Sequence, residues 1–397
     1  MRPLSKKLTR LGTETAFQVG ADAAAWQNKG HKVYPFHLGD MNIPSPGHIV
    51  EAMNKAIRDG YTGYAPGAGI SPLREAMAEN VGKDRGLEYG PENVSIQPGG
   101  KPVIGKFLST VMNEGDEVLY PNPGYPIYES QIEYQGGKAL PYGYIATDSG
   151  FEINRDEIES QITPKTSILI YNNFQNPIGA ESSTEEMQWL ADLALKHDLW
   201  VLSDEAYFEI RYAGKSTSIA SLPGMKERTV ILYTFSKKFA MTGWRLGAAI
   251  GPENVISSIS KFNTNHESCS NHFVQYAGVA AVSGPQEQQK VILNQLKERR
   301  DALMTSLLAI DGVKVSKPET TFYLFPDVTE IYNRKDYKSS ADFRLDALHE
   351  TGVSFCSREH FGRRLSHEKD VFIRFAYSGI NIDLIQEGLE RLKHFWE

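Results

Sequence analysis

The chain has 397 residues with 42 lysines and arginines against 49 aspartates and glutamates, and its net charge of −7 gives no general attraction to nucleic acid or to an anionic membrane. Apolar, aromatic and charged fractions of 41%, 11% and 23% are those of an ordinary globular protein, long enough for two or three domains. Two cysteines, Cys269 and Cys356, are too few for a disulfide framework and stand in no metal-ligand spacing; with no signal-peptide core after the basic start and no apolar run near the ~20 residues of a membrane span, a reducing cytoplasmic compartment is expected.

Up to about Gly30, alanines with Phe17, Val19 and Trp26 at helical spacing predict a packed helix that Gly30 stops. Lys32 to Leu38 reads as a short strand, and the turn-rich HLGDMNIPSPG after it marks a crossing between domains. From about Ile49, helical patterns alternate with short apolar runs. The strand candidates are Val94 to Ile96, Glu117 to Tyr120, Ser167 to Tyr171, Leu199 to Leu202 and Val230 to Tyr233. Such alternation argues for an α/β fold, a mainly parallel central sheet with helices on both faces. In one of those helices Ser182 and Glu185 have capping-box spacing, and Met187, Leu190, Leu193 and Ala194 form the buried stripe. A long helical pattern after Gly284-Pro285 runs to about Ala309. The strands FYLF and VFIRF, a helix from about Ala341 to Glu350 and an amphipathic terminal helix then predict a smaller α+β domain. The expected division is an N-terminal segment, 1–45, joining the small domain, a large domain, 46–285, and a connector helix with the small domain, 286–397.

Ligands of an open parallel sheet bind at the carboxyl ends of its strands, so the residues there carry the chemistry. Gly99, Gly100 and Lys101 follow one strand and open a helix, where backbone N–H groups and the helix N-terminus favour an anion. Tyr125, between proline and glycine in PNPGYPIY, either presents an aromatic face or packs in the core. Another strand ends in NNFQNPIG, and the next in SDEAYFEI, whose acidic pair Asp204-Glu205 is costly to bury without partners. The run from Thr229 to Tyr233 leads into TFSKKFAMTGWRLG, which sets Lys237 beside Ser236 with Arg245 eight residues on. A desolvated amine there has a lowered pKa and can form a Schiff base with a carbonyl. Arg374, inside VFIRFAYS, is a cation among apolar neighbours, best explained by a carboxylate ligand in its bidentate fork.

In order and spacing these motifs resemble the class I/II aminotransferase family of fold-type I pyridoxal phosphate enzymes, over about residues 33–397. The resemblance implies that Lys237 is the Schiff-base lysine. It implies that Gly100, Lys101, Ser236 and Arg245 hold the cofactor phosphate, with Thr234 where the family usually has serine. Tyr125 would stack on the pyridine ring, Asp204 would pair with its nitrogen, and Asn176 and Tyr207 would bond its phenolic oxygen. Arg374 and the Gly39 backbone, with Asn176 alongside, would bind the substrate carboxylate. Tyr64, in GYTGYAPG, would reach the phosphate of a neighbouring subunit, which makes a homodimer the expected partner. The departures gather on the substrate side. Phe174 and Ile178 alter the NxPxNPTG motif, Asp40, Met41 and Asn42 replace the usual turn after Gly39, and Thr320-Thr321 stands where Gly-Ala is usual.

The resemblance makes amino acid:2-oxo acid aminotransfer the first expectation, with Lys237 moving the proton. An alternative is a pyridoxal phosphate- and O2-dependent oxidase or desaturase acting on arginine or a similar cationic amino acid. The chain is somewhat similar to oxygen-using arginine oxidases on this fold, and the TETAF segment, a catalytic His37, Asp40 and Glu267 motivate that reading, with His266 and His272 nearby in sequence. A non-catalytic regulator is disfavoured, since no DNA-binding module is visible and Lys237 is present.

Overall fold

The computed structural model of the protein describes residues 2–147, 150–365 and 368–397. A seven-stranded sheet has the order Val94–Gln97, Gly247–Ile250, Thr229–Thr234, Trp200–Asp204, Thr166–Tyr171, Glu117–Pro121, Lys138–Tyr142. Pairing is parallel except at Gly247–Ile250, which runs against both neighbours. Continuous apolar runs suit strands covered on both faces. Val118 and Ile168 meet Val103, Ile104 and Phe107 of one helix layer, while the next residues along, Leu119 and Leu169, meet Met187, Leu190 and Ala194 of the other.

Every strand candidate in the central sheet is present; four are extended by a residue or two, and the Leu199 to Leu202 candidate is shifted to Trp200–Asp204. The two unanticipated strands lack the usual signature. Lys138–Tyr142 is an edge strand that tolerates Pro141. Gly247–Ile250 reads GAAI because it is crowded: a Cβ on Gly247 would lie 2.6 Å from the carbonyl carbon of Gly99. The helix at 184–196 starts one residue later than its capping signal implied. Ser183, not Ser182, accepts the backbone N–H of Glu186, and Glu186 turns its carboxylate to the N–H of Ile153 across the layer. Met187, Leu190, Leu193 and Ala194 are buried as expected.

The long helix Glu287–Leu308 leads to a three-stranded antiparallel sheet of Tyr323–Leu324, Ile373–Ala376 and Cys356–Ser357. Tyr34–Pro35 pairs in parallel with Val353–Ser354. Tyr34, Phe36, Phe343, Phe355, Phe375 and Trp396 share one apolar cluster, which also takes in Phe174, Tyr207 and Phe208 from beside the large sheet. The helix Ala16–Asn28 buries Ala16 and Val19 against Ile178, Phe325, Cys356 and Phe361. Among the described residues, no helix is long and apolar enough to cross a membrane.

Candidate functional site

The carboxyl ends of the parallel strands open into a cavity of about 510 Å³, and the motifs singled out in the sequence converge on it. At one end the strand Val94–Gln97 gives way to Gly99, Gly100 and the helix Lys101–Val111, whose N-terminus and dipole favour an anion. Gly99 has φ +98°, and a Cβ on it would lie 2.3 Å from Nη2 of Arg245; one on Gly100 would meet Leu232 and Thr234. Backbone and guanidinium are thereby drawn together. Arg245 itself takes the left-handed conformation and donates from Nη1 to the Thr242 carbonyl, 2.8 Å. Thr234 Oγ1 donates to Ser236 Oγ, 2.9 Å, and receives the Ser236 N–H, 3.2 Å.

Beyond this anion-seeking end lies Lys237, whose Nζ donates to the Gly39 carbonyl, 3.0 Å, over the rings of Tyr207 and Phe322. Burial, opposed by Asp40 and Glu14 and helped by Arg374 and Arg245, lowers its pKa to about 8. On the opposite wall Asp204 is buried at the end of its strand. It accepts from the Tyr128 hydroxyl, 2.5 Å, and the Ala206 N–H, 3.1 Å, and burial raises its pKa to about 6. Among the described residues that carboxylate has hydrogen-bond donors but no bonded cation, so it favours a protonated partner in the cavity. Glu205 points the other way and forms a buried pair with Arg85, 2.6 Å.

Arg374 is 4% exposed and also lines the cavity. Nη1 donates to Asn176 Oδ1, 3.0 Å, and Nη2 to the His37 carbonyl, 2.6 Å, while Nε has no partner among the described residues. None of these partners is anionic, which leaves a buried charge uncompensated. Tyr323, whose hydroxyl bonds that of Tyr207, 2.7 Å, lies against the guanidinium and beside Gly39, where a Cβ would come 2.2 Å from its hydroxyl.

Some expectations fail here. The His37 ring does not line the cavity; it is buried behind the Arg374 wall against Gly20, and burial with Arg374 and Arg344 nearby lowers its pKa to about 4. What His37 offers the site is its carbonyl, which accepts from Arg374 Nη2. Glu267 is also absent from the lining, since it pairs with Lys106, 2.6 Å, behind the helix that carries Lys101. His272 bonds the Gly63 carbonyl, away from the cavity. Tyr64 is 89% exposed and touches none of its own chain's site. Tyr128, Tyr323 and Asn172 were not anticipated. Tyr128 had a signal, one helical turn beyond Tyr125, whereas Tyr323 was hidden in an apolar run.

An anion cradle, a desolvated amine, a carboxylate awaiting a cation and a guanidinium awaiting a carboxylate now stand around one cavity. Residues 33–392 match the model of the family described as aminotransferase class I and II. The chain belongs to this family. The aspartate aminotransferase of Bacillus subtilis (strain 168) is 31% identical over 396 residues, 99% of each chain, and that of Sulfolobus acidocaldarius is 33% identical over 373 residues, 93% of this chain and 91% of the relative. Among solved structures, an alanine aminotransferase from Pyrococcus furiosus superposes with TM-score 0.91 at 28% identity, covering 99% of each chain. An aspartate aminotransferase from Thermus thermophilus with maleate gives 0.90 at 28%, covering 99% of this chain and 100% of the other. The protein is a pyridoxal phosphate-dependent amino acid aminotransferase. Oxygen-dependent oxidation gains no support from these relatives, and two residues that motivated it, His37 and Glu267, lie outside the cavity lining.

Proposed function

We propose that the aminotransferase binds its cofactor and substrate through the cavity residues as follows. The chemistry of the lining fits pyridoxal phosphate: the Gly99-Gly100 turn and helix N-terminus with Arg245, Ser236 and Thr234 would hold the phosphate, Asp204 the pyridine nitrogen, Tyr125 the ring face, and Asn176 and Tyr207 the phenolic oxygen. When bound, the cofactor supplies an electron sink for the substrate's Cα–H bond and carries the amino group between the two substrates. Lys237 Nζ, held near pKa 8, is the base that removes the substrate's Cα proton and the acid that returns a proton. Arg374 clamps the α-carboxylate, with the Gly39 backbone and Asn176 beside it, which orients the Cα–H bond toward Lys237.

The observation that carries this reading is the uncompensated Arg374 guanidinium lining the same cavity as the desolvated amine. The exposed Tyr64 supports a homodimer in which each chain completes its neighbour's phosphate site. The pairing of Tyr34–Pro35 with Val353–Ser354 supports assigning 1–45 to the small C-terminal unit of 286–397, apart from the large unit of 46–285. The free thiols of Cys269 and Cys356 support a reducing, cytoplasmic setting. The test is a half-reaction: holoenzyme mixed with an L-amino acid and no oxo acid is expected to form one equivalent of pyridoxamine phosphate and 2-oxo acid and then stop, with turnover restored by a 2-oxo acid. Sustained turnover that consumes oxygen without an acceptor would overturn it.

A further inference from the structure

Two buried hydroxyls in the cavity share one hydrogen bond, which leaves one of their protons over. Tyr207 and Tyr323 both line the cavity, are 5% and 2% exposed, and bond each other at 2.7 Å, where either can donate. Each phenol brings one proton, and one O–H···O contact uses one. Among the described residues the second proton has no acceptor. Burial raises the pKa of both groups, so both stay protonated. The pair therefore presents a single donor to an oxygen that enters the cavity.

A strained corner delivers Tyr323 to this pair. Thr321, two residues before it, is fully buried at φ +62°, a conformation that a β-branched side chain resists. Its N–H donates to the Ile210 carbonyl, 3.0 Å, and its carbonyl accepts from the hydroxyls of Tyr212, 2.6 Å, and Tyr377, 3.2 Å. Its Oγ1 accepts the Tyr323 N–H, 3.2 Å. Backbone strain persists only where the surroundings over-determine it, and it gathers at functional sites. Gly39 completes the placement, because any Cβ there would strike the Tyr323 hydroxyl. The Tyr323 ring lies 4.5 Å from the Arg374 guanidinium, as does Phe361, so ring and hydroxyl have separate tasks.

We propose that Tyr323 is a positioning residue that acts through Tyr207: its hydroxyl donates to the Tyr207 oxygen and so aims the Tyr207 proton at an anionic oxygen in the cavity. The inference rests on the reading that this oxygen is the phenolic oxygen of the cofactor. Once Tyr207 commits its one proton there, the direction of the 2.7 Å bond is fixed, with Tyr323 as donor. A hydroxyl that accepts one hydrogen bond donates the next more strongly. A phenolic oxygen that receives the stronger bond carries less negative charge, and the Lys237 linkage beside it holds its proton less tightly.

The experiment is a pH titration of the visible absorption band of substrate-free holoenzyme for wild type, Tyr323→Phe, Tyr207→Phe and the double variant. Tyr323→Phe removes the hydroxyl and keeps the ring on Arg374. Loss of a bond to a charged oxygen is expected to raise the midpoint in Tyr207→Phe by about 1–2 pH units. Tyr323→Phe is expected to raise it by about a tenth to a third of that, and to add nothing in the Tyr207→Phe background. A midpoint that moves in Tyr207→Phe but not in Tyr323→Phe would overturn the inference and leave the reading of Tyr207 standing; so would two shifts that simply add. A Tyr323→Phe variant that loses only kcat/KM in the half-reaction, with its substrate-free titration unmoved, would place the hydroxyl on the substrate and overturn it too. An unmoved midpoint in Tyr207→Phe would overturn the reading of Tyr207 and the inference with it. If Tyr323→Phe does not fold, Thr321→Gly takes its place, since it relaxes the corner and keeps both hydroxyls: an upward shift that vanishes in the Tyr207→Phe background is expected, and no shift would overturn the inference.

Discussion

Gly99→Ala tests the anion end of the cavity with a single methyl group. An L-residue at φ +98° costs about 1–3 kcal/mol of backbone strain. The new Cβ would sit 2.3 Å from Nη2 and 2.9 Å from Cζ of Arg245, well inside contact distance, so the guanidinium must swing away. If Arg245 holds the cofactor phosphate, that movement forfeits a charge-assisted hydrogen bond worth about 1.5–3 kcal/mol, which is roughly a tenfold to hundredfold weaker Kd. Titration of pyridoxal phosphate into the apoprotein measures the affinity, and thermal melting of the apoprotein measures the strain. Gly47→Ala is the control: Gly47 begins a helix outside the cavity and a Cβ there meets nothing within 4 Å. A variant whose melting temperature falls while its cofactor affinity stays within twofold of wild type would refute Arg245 as the phosphate anchor.

Other expected outcomes follow from the same geometry. Lys237→Ala should abolish covalent attachment of the cofactor; a borohydride-fixable adduct retained in that variant would contradict the assignment. In wild type, attachment should quicken as pH rises through about 8, where the buried amine loses its proton, and a pH-independent rate would count against that pKa. Arg374→Ala removes both carboxylate bonds and should lower kcat/KM by about 10²–10⁴-fold, at about 1.5–3 kcal/mol for each charged bond, with Arg374→Lys recovering only part because the fork is lost. Asp204 has a raised folded pKa, so the native apoprotein binds the extra proton between the ordinary value of 3.8 and about 6, and stability falls as pH rises through that window. Asp204→Asn should therefore stabilise the apoprotein at pH 8 by about 1–3 kcal/mol and lose that advantage near pH 4, while weakening cofactor binding. Equal melting shifts at both pH values would refute the buried-charge account. Mixed dimers of Tyr64→Phe and Lys237→Ala chains should regain one competent site, and failure to exceed either parent would argue against shared sites.

Much of this architecture was legible because several strands of the central sheet are short, mainly apolar runs, and polar residues that line the cavity follow at their carboxyl ends. Lys237 after Thr229–Thr234 and Asp204 at the end of Trp200–Asp204 stood out on that ground. What stayed hidden depends on tertiary crowding or on residues that double as core. Gly247–Ile250 has no β-branched signature apart from its last residue, because Gly99 presses on its start. Tyr323 is 2% exposed and indistinguishable in sequence from Phe322 beside it, yet its hydroxyl reaches the cavity. His37 misled in the opposite direction, since closeness to Gly39 along the chain did not determine which way its ring turned.

The reversed strand has a topological consequence. A strand that runs against its neighbours begins at the edge where they end, so the residue leading into it is delivered to the same rim as the residues trailing the others. The chain therefore visits the cavity twice in quick succession, at Ser236 and Lys237 on the way out of one strand and at Arg245 on the way into the next. The Lys237 amine and the Arg245 guanidinium are carried on one short loop, with their separation set by its length. Lengthening that loop by a residue would leave the sheet's pairing intact and still put amine and guanidinium out of register.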